Sequence, residues 1–553
     1  MEDEGTITGA STAGDAVAGG EAPEDPERPG SSRTRALARA GITVTLLFLV
    51  SRILGYLRYV VIANAVPDPS QLDSFFAAFR IPDFLFQLVA AGALSSALIP
   101  VIAGLFATEQ EARAWRVVST VTTLMLSALL VLAGVVLLFA PQLVAFITPG
   151  FDADELALTT ELTRIMVLSP LFLAAGAVAT SALNARGRFG AAAVAPLVYN
   201  IAIILGAIVL VPLFGINGLA LSVVLGAAGH VLVQLPSLAR IGARILPRLE
   251  LGDPEARKAL ILMAPRALGL GATQVVFLVM TGLASTLGEG SIAVFNFAFA
   301  VLQIPIGVIG VPLGVVLLPS LSREAATGGM DAFRRLLVRG LSMLGLVMIA
   351  VAALGIVVAE DVTRLLFDYG SIGDSALELT ARTLAVFLVG LTAHSLIAVV
   401  ARAFYALQDT ATPVAAALLA VVVNIVVANA LVGQYGVAGL AAAIAVAAWL
   451  ELLMLVVLLR RRVPGLGLGH VAVVMTKALV ASALGAAVAW LVYEALLGAW
   501  GEDPGFLLLL IRTAITTICG GVVILAASAA LRIEELRTIV GLVVDLLRRK
   551  GRA

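Results

Sequence analysis

Long apolar segments recur along almost the whole chain, and they constrain the fold more than any other feature of the sequence. A run of about 20 apolar residues can cross the hydrocarbon core of a bilayer as an α-helix. Since 60% of the 553 residues are hydrophobic and only 13% are charged, with a mean hydropathy of +1.05, a soluble fold is excluded. We therefore predict an all-α polytopic membrane protein that is embedded in a lipid bilayer. Its fourteen transmembrane helices are expected at about 41–66, 73–105, 114–147, 156–184, 190–213, 217–239, 258–287, 291–322, 335–358, 377–407, 412–432, 437–459, 470–493 and 505–531.

The connections between the expected helices alternate in charge. With the N-terminus inside, the even-numbered connections carry Lys and Arg, whereas the odd-numbered ones are acidic or neutral, with Arg364 as the clear exception. Loops that stay in the cytoplasm are enriched in Lys and Arg, so both termini are predicted to be cytoplasmic. Residues 1–40 are expected to form a disordered cytoplasmic tail, and residues 532–553 a basic amphipathic cytoplasmic tail.

Two pairs of matching segments indicate an internal repeat. Residues 89–100 align with residues 308–319 at an offset of 219, and residues 215–220 align with residues 436–441 at an offset of 221. An offset that spans an even number of helices gives two halves with the same orientation, as in transporters with parallel repeats. We therefore expect two six-helix lobes around a central cavity, followed by two additional helices. These units are expected at 41–239, 258–462 and 470–531.

Three arginines lie at membrane depth in the first two expected helices. Arg52 and Arg58 are six residues apart in the first helix, and Arg80 follows in the second. A charge at this depth is costly unless it faces the interior of a bundle or a water-filled cavity, and a guanidinium binds phosphate as a fork of donors. The pattern predicts a cationic cavity for an anionic substrate. The alternative is a set of snorkelling or ion-paired arginines, with Asp73 or Asp83 as partners.

Several classes of site and partner are disfavoured by composition. The single cysteine, Cys519, excludes internal disulfides and thiolate metal clusters, and the three histidines lie far apart without metal-ligand spacing. We therefore expect no metal and no cofactor. The net charge of zero gives no indication of a nucleic-acid partner.

Four segments resemble a known family. These are residues 51–66 (SRILGYLRYVVIANAV), residues 73–100 (DSFFAAFRIPDFLFQLVAAGALSSALIP), residues 311–322, and residues 404–413 with Asn424. They resemble the MurJ (MviN) family of lipid II flippases, which belongs to the multidrug/oligosaccharidyl-lipid/polysaccharide exporter superfamily. The resemblance covers about residues 41–462, and that superfamily consists of two-lobed transporters of twelve helices, to which the MurJ family adds two.

The resemblance implies a function and a location. It implies movement of lipid II, a lipid-linked diphosphate glycan, from the inner to the outer leaflet of the bacterial inner membrane by alternating access, in peptidoglycan synthesis. Arg52 and Arg58 match family arginines that line the central cavity, where they would bind the diphosphate. Asp73 matches a family acid at the outer end of the second helix, and Arg80 lies in the matched Arg-Ile-Pro motif.

The chain departs from the family pattern at several positions. Phe86 and Gln87 stand where the family often has arginines, and Ala91 stands where an acid is common. In the eighth helix, Ala300 replaces an arginine and Phe299 replaces an acid. The cation of the second lobe is therefore missing at its usual position.

Helix depth suggests a substitute for the missing cation. Arg266 in the seventh helix lies about 12 Å from the inner face and Ala300 about 14 Å from the outer face, so the two nearly meet in a core about 30 Å thick. We predict that Arg266 supplies the charge of the second lobe. The alternative is a structural ion pair with Glu451, which lies at a similar depth.

Two other classes of function remain as alternatives to a lipid II flippase. One is an exporter of another lipid-linked glycan, and the other is an ion-coupled drug exporter of the same superfamily, which would favour carboxylates in its cavity. An enzyme is not expected, because the largest outer connection, about 359–376, is too short for a catalytic domain. Both a coupling ion and the membrane potential stay open as driving forces for transport.

Overall fold

The computed structural model describes residues 31–89, 93–368, 373–502, 504–538 and 541, with side chains from residue 47 onward except that of Phe48 and those within parts of the third and eleventh helices. The part of the chain described consists of helices and their connections, without strands. The helices are α1 (Ser31–Ala65), α2 (Pro69–Val89), α3 (Ala93–Ala107), α4 (Glu111–Ile147), α5 (Ala153–Met166), α6 (Ser169–Ala185), α7 (Phe189–Val209), α8 (Val211–Phe214), α9 (Ile216–Leu232), α10 (Leu235–Arg240), α11 (Pro254–Ser285), α12 (Ser291–Pro305), α13 (Val311–Ala326), α14 (Met330–Val357), α15 (Ala359–Phe367), α16 (Asp374–Val389), α17 (Leu391–Ala406), α18 (Ala411–Arg462), α19 (Leu468–Trp500) and α20 (Phe506–Ala530).

All fourteen expected spans coincide with helical segments, and the all-α membrane fold is confirmed. Among the residues described, nine helices are long and apolar enough to cross a membrane, or up to ten if a bent pair is counted as one span. The expected eleventh and twelfth helices both lie within α18, and they meet at Gly436, where the backbone leaves the helical conformation. The number fourteen therefore stays a prediction.

The first helix begins earlier than expected. It starts at Ser31, so residues 31–40, which we expected within a disordered tail, are helical. The apolar run begins only near residue 41, but the preceding segment is rich in Ala, Arg and Leu, which are strong helix formers. An apolar run marks the membrane-embedded part of a helix and not its polar extension. Residues 1–30 lie outside the residues described.

Glycines at the repeat motif adopt the same backbone conformation in both copies. Gly215 has φ 61° and ψ −151°, and Gly436 has φ 56° and ψ −136°, a region that side chains other than glycine rarely adopt. A second glycine follows each junction after three residues. A Cβ on Gly218 would lie 2.3 Å from the carbonyl oxygen of Leu210, and a Cβ on Gly439 would lie 2.7 Å from that of Leu431. The two copies therefore make the same sharp helix junction.

Two further pairs of turns repeat the left-handed conformation at the same spacing. Glu109 (φ 59°) and Gly328 (φ 74°) are 219 residues apart, and Gly187 (φ 69°) and Gln408 (φ 60°) are 221 residues apart. This recurrence supports our proposal of two parallel lobes. We call helices α1–α10 the first half and helices α11–α18 the second half.

Helix α12 of the second half lies against the first half. It packs on α2 and α1, while α1 also packs on α7, and α7 on α9. A π-helical turn, Ile306–Gly310, joins α12 to α13 in the region where Pro305 and Gly310 interrupt the sequence pattern of a regular helix. The interface between α1, α2 and α12 positions most of the arginines predicted above.

A buried ion pair attaches the last two helices to the second half. Arg512 of α20 and Asp361 of α15 are exposed by only 1% and 0%. Nε of Arg512 donates to Oδ2 of Asp361 at 3.0 Å, and the hydroxyl of Thr513 donates to the same oxygen at 3.1 Å. The guanidinium also donates to the carbonyl of Gly501 and lies 5.2 Å from the ring centre of Tyr493. The cluster satisfies both charges inside the protein.

Candidate functional site

A cavity of about 230 Å³ lies where the two halves meet. We call it the junction cavity. It is lined by Arg58, Tyr59 and Ile62 of α1, by Phe75, Phe76, Phe79, Arg80 and Asp83 of α2, by Ile203 of α7, by Val223 of α9 and by Asn296 of α12. Two of the arginines predicted from the sequence therefore share one cavity.

Arg58 is held over aromatic rings without a carboxylate partner. Its guanidinium carbon lies 5.3 Å from the ring centre of Tyr59 and 5.9 Å from that of Tyr199. Within the part of the chain that the structure describes, Arg58 makes no ion pair within 4.0 Å and no side-chain hydrogen bond. Aromatic faces attract a cation without occupying its donors. The hydrogen-bond donors of Arg58 are thus available to an anion in the cavity.

Arg80 has a different environment, because two of its three nitrogens donate hydrogen bonds within the protein. Nε donates to the hydroxyl of Thr281 at 2.9 Å, and Nη2 donates to the amide oxygen of Asn296 at 2.6 Å. The guanidinium also lies 5.3 Å from the ring centre of Phe277. These partners belong to α11 and α12. Arg80 therefore joins the first half to the second, although it also lines the cavity.

Asp83 supplies the negative charge of the junction cavity. It interacts electrostatically with Arg80 and Arg58 and shares a side-chain hydrogen bond with Gln87. Neither arginine approaches it within 4.0 Å among the residues described. The cavity thus holds two guanidiniums and one carboxylate, which leaves it cationic.

Arg52 lies one and a half turns before Arg58 and faces a different part of α12 and its π-turn. A Cβ built on Gly307 would lie 2.5 Å from Nη1 of Arg52, so the guanidinium lies against the π-turn. Arg52 shares a hydrogen bond with the hydroxyl of Tyr56, which donates to the carbonyl oxygen of Gln303 at 3.0 Å. Arg52 is exposed and does not line the junction cavity. Its predicted role in binding the substrate remains a prediction.

Asp73 of α2 lies beside the N-terminus of α12 and away from the junction cavity. It is 1% exposed, and its carboxylate accepts the backbone N–H of Ala293 at 2.7 Å. Further bonds come from the N–H groups of Ile292 and Gly290, so the carboxylate caps the positive end of the α12 dipole. Asp73 and Arg80 are seven residues apart, about two helical turns, and therefore project from one face of α2. Both attach α2 to the second half.

The second half contains a separate cavity of about 270 Å³. We call it the second-half cavity, and its polar lining includes Glu451, His394, Asn424 and Gln303. Nε2 of His394 and Oδ1 of Asn424 are buried and have no hydrogen-bond partner among the described side chains. Ala300, the position of the missing arginine, is 7% exposed and packed within α12. The side chain of Arg266 lies outside those described, so its proposed contribution remains a prediction.

An adjoining cavity of about 450 Å³ also borders Arg58. It adds polar groups of α6, α7 and α9, namely Thr180, Tyr199 and His230, and Nδ1 of His230 is buried with no partner in the part of the chain described. Sequence reasoning missed these residues, as it missed Asn296. A lone polar side chain within an otherwise apolar helix was the available signal for Asn296 and His230, because such groups are costly in a bilayer unless they face a cavity or a partner.

Comparisons with known proteins point to one family. The family model described as lipid II flippase MurJ matches residues 62–512. The chain is 32% identical to the lipid II flippase MurJ of Burkholderia cenocepacia over 435 residues, which are 77% of this chain and 84% of that protein. It is also 32% identical to the probable lipid II flippase MurJ of Vibrio cholerae over 434 residues, which are 76% and 82% of the two chains.

Solved structures show the same fold. A lipid II flippase MurJ in the inward closed conformation superimposes with a TM-score of 0.74 at 21% identity, covering 88% of this chain and 98% of that one. An inward-facing multidrug resistance transporter of the MATE family superimposes with a TM-score of 0.63 at 17% identity, covering 75% of this chain and 95% of that one. The family match, the sequence relatives and the many apolar helices identify a multi-pass inner-membrane protein of a transporter class. The sequence relatives and the family match together establish that this chain belongs to the MurJ family of lipid II flippases.

Proposed function

We propose that this protein moves lipid II from the inner to the outer leaflet of the inner membrane by alternating access. The observation that carries the proposal is Arg58, which lies in a cavity where the two halves meet and has no carboxylate within 4.0 Å among the residues that the structure describes. A diphosphate offers oxygens to such a fork, and charge-assisted bonds of this kind are roughly twice as strong as neutral ones. Family membership identifies the chemical class of the anion.

Binding of substrate in the junction cavity is coupled to movement of the halves in this proposal. Asp73 and Arg80 hold α2 against α12, and these contacts would separate when the site opens on their side of the membrane. Aromatic residues such as Phe76 and Tyr59 exclude water around the diphosphate and strengthen its attraction to Arg58. The lipid chain would remain in the bilayer while the charged head passes between the halves.

A drug exporter of the same superfamily is the main competing function. Such a protein would bind cations, and an excess of carboxylates would be needed in its cavity. The junction cavity has one carboxylate, Asp83, against Arg58 and Arg80. Its cationic balance favours an anionic substrate over a cationic drug.

Complementation tests the proposal. We expect the gene to sustain growth of bacterial cells that are depleted of their own lipid II flippase, because the proposed reaction is the one these cells have lost. Expression in the membrane, measured by immunoblotting, serves as the control. Full membrane expression without growth would contradict a lipid II flippase. Accumulation of a different lipid-linked glycan in the native cells, once this gene is deleted, would identify another substrate.

The orientation of the chain is part of the proposal. We place both termini in the cytoplasm, with the basic connections on the inner side and Asp152 and Glu289 on the outer side. The alternation of charge along the connections supports this arrangement.

We further propose that transport is coupled to a cation bound in the second-half cavity. Glu451 faces this cavity together with the amide of Asn424, and carboxylate and amide oxygens are suitable ligands for a hard cation, while the carboxylate alone can hold a proton. Among the residues described, Glu451 forms no ion pair. A carboxylate at membrane depth that faces a cavity is typical of an ion pathway.

The variant Glu451→Gln should remove this coupling. In proteoliposomes, we expect an inward Na⁺ or H⁺ gradient to accelerate lipid II translocation by the unaltered protein, and the response to fall about tenfold in the variant, as for a loss of about 1.4 kcal/mol in cation binding. Glu494→Gln, which changes an exposed carboxylate outside the cavity, is the matched control. An unchanged gradient response in Glu451→Gln would exclude this carboxylate as the coupling site.

A further inference from the structure

A segment at the basic end of the bundle connects the two halves and lies along α4. Residues 241–253, here called the strap, run without helix from α10 to α11. Backbone N–H groups of Leu246 and Arg248 donate to the hydroxyls of Ser119 and Thr123 at 3.1 Å and 3.0 Å. The strap is thus held against α4 by its backbone.

A cationic cavity of about 630 Å³ lies between the strap and the start of α4. It is lined by Glu111, Ala112, Trp115, Arg116, Ser119, Gly242, Arg244, Leu246 and Arg248. Arg116 and Arg248 share one carboxylate, Glu250, at 3.6 Å and 3.0 Å, and their side chains are 42% and 45% exposed. Arg244 is exposed and has no ion pair or side-chain hydrogen bond among the residues described.

The charges around this cavity do not balance. Glu111 pairs with Arg186, and Asp253 pairs with Arg113, whose guanidinium holds the pKa of the Asp253 carboxyl below its usual range. These two pairs cancel. Three arginines line the cavity, Arg116, Arg244 and Arg248, and Glu250 offsets the charge of only one. About two positive charges therefore face the opening.

An apolar groove of about 540 Å³ continues directly from the cationic cavity. Leu246 of the strap lines both. The groove passes between α4 and α6 and is lined by Thr122, Thr123, Leu126, Ser127, Leu130, Leu171, Phe172, Ala175, Ile245, Leu246 and Pro247. From Thr122 to Leu130 it follows α4 for about 12 Å toward the middle of the bundle. Leu130 is 64% exposed, so the groove opens toward lipid.

We propose that this composite surface binds an anionic phospholipid of the adjacent leaflet, with its phosphate in the cationic cavity and an acyl chain in the groove. Arginines near a membrane surface attract anionic headgroups, and each contributes about fivefold in affinity. A small soluble anion would not require the groove, and an acidic peptide would not enter it at membrane depth. The strap connects the two halves, so the bound lipid contacts the segment that links them.

The test compares retention of defined lipids by the purified full-length protein in native mass spectrometry. The probes are phosphatidylglycerol, phosphatidylcholine and glycerol phosphate. We expect phosphatidylglycerol to be retained and phosphatidylcholine to be weaker by at least tenfold, while glycerol phosphate does not compete. The variant Arg244→Ala plus Arg248→Ala should lower the affinity for phosphatidylglycerol about 30-fold. Arg460→Ala plus Arg461→Ala, which removes two basic residues at the end of α18, should leave retention unchanged.

A second variant tests the groove while leaving every arginine in place. Ser127→Phe, at an exposed position of α4, should obstruct the acyl chain and lower the affinity for phosphatidylglycerol about tenfold. The proposal is overturned if the double arginine variant retains phosphatidylglycerol like the unaltered protein, or if the α18 control loses it equally. Equal binding of glycerol phosphate would also overturn it, because the site would then recognise a soluble anion and not a lipid.

Discussion

Replacing Arg58 by Ala should abolish growth of cells that depend on this protein for lipid II translocation. Among the described residues, no side-chain hydrogen bond or ion pair uses the donors of this cavity cation. Each charge-assisted hydrogen bond to the diphosphate contributes about 1.5–3 kcal/mol, so losing two should slow translocation by two orders of magnitude or more. Arg58→Lys should recover only part of the activity, because an ammonium supplies charge without the fork.

The control for this prediction is Arg164→Ala, which removes an exposed arginine of α5 that lines neither cavity at the junction. It should support growth normally at equal membrane expression. We expect Arg52→Ala to be inactive as well if its exposed guanidinium meets the substrate beside the π-turn. Normal growth with the double variant Arg52→Ala plus Arg58→Ala would remove both from the substrate site.

Removing Arg512 should destabilise the protein by about 3–5 kcal/mol, because Asp361 would remain buried with an uncompensated charge. The measurement is the unfolding free energy of Arg512→Ala in detergent, obtained by denaturant titration. Arg334→Ala is the matched control, since its partner Asp331 is 80% exposed and the pair should contribute at most about 1 kcal/mol.

A double variant separates burial of a charge from loss of packing. Arg512→Met plus Asp361→Leu removes both charges while keeping much of the side-chain volume, and we expect it to recover most of the stability lost in Arg512→Ala. If Arg512→Ala unfolded no more easily than the Arg334→Ala control, the pair would not attach α20 to the second half.

The sequence was sufficient to place the helical segments of the chain. The apolar runs, the charges of the connections and the repeat offset are local signals, and each expected span coincides with a helix. The glycine junctions at Gly215 and Gly436 show why the offset was detectable, since both copies need a conformation that glycine adopts without strain.

The partners of the charged residues could not be predicted in the same way. Asp73 caps a helix that begins more than 200 positions later, and Arg80 bonds to Thr281 and Asn296 across the interface of the halves. Such contacts depend on how helices pack, which periodicity within one helix does not contain. Arg58 and Arg80 therefore looked equivalent in the sequence, whereas the donors of Arg58 are free and those of Arg80 are used within the described part of the protein.

The most direct test of the proposed function is lipid II translocation by the purified protein in liposomes. Lipid II with a fluorescent group is incorporated, and a membrane-impermeant quencher reports the fraction that has crossed. We predict that liposomes with the unaltered protein translocate lipid II at a rate that Arg58→Ala lowers by about two orders of magnitude, the loss of two charge-assisted bonds. Equal rates with the unaltered protein, with Arg58→Ala and without protein would contradict the proposal that this cavity carries lipid II across the membrane.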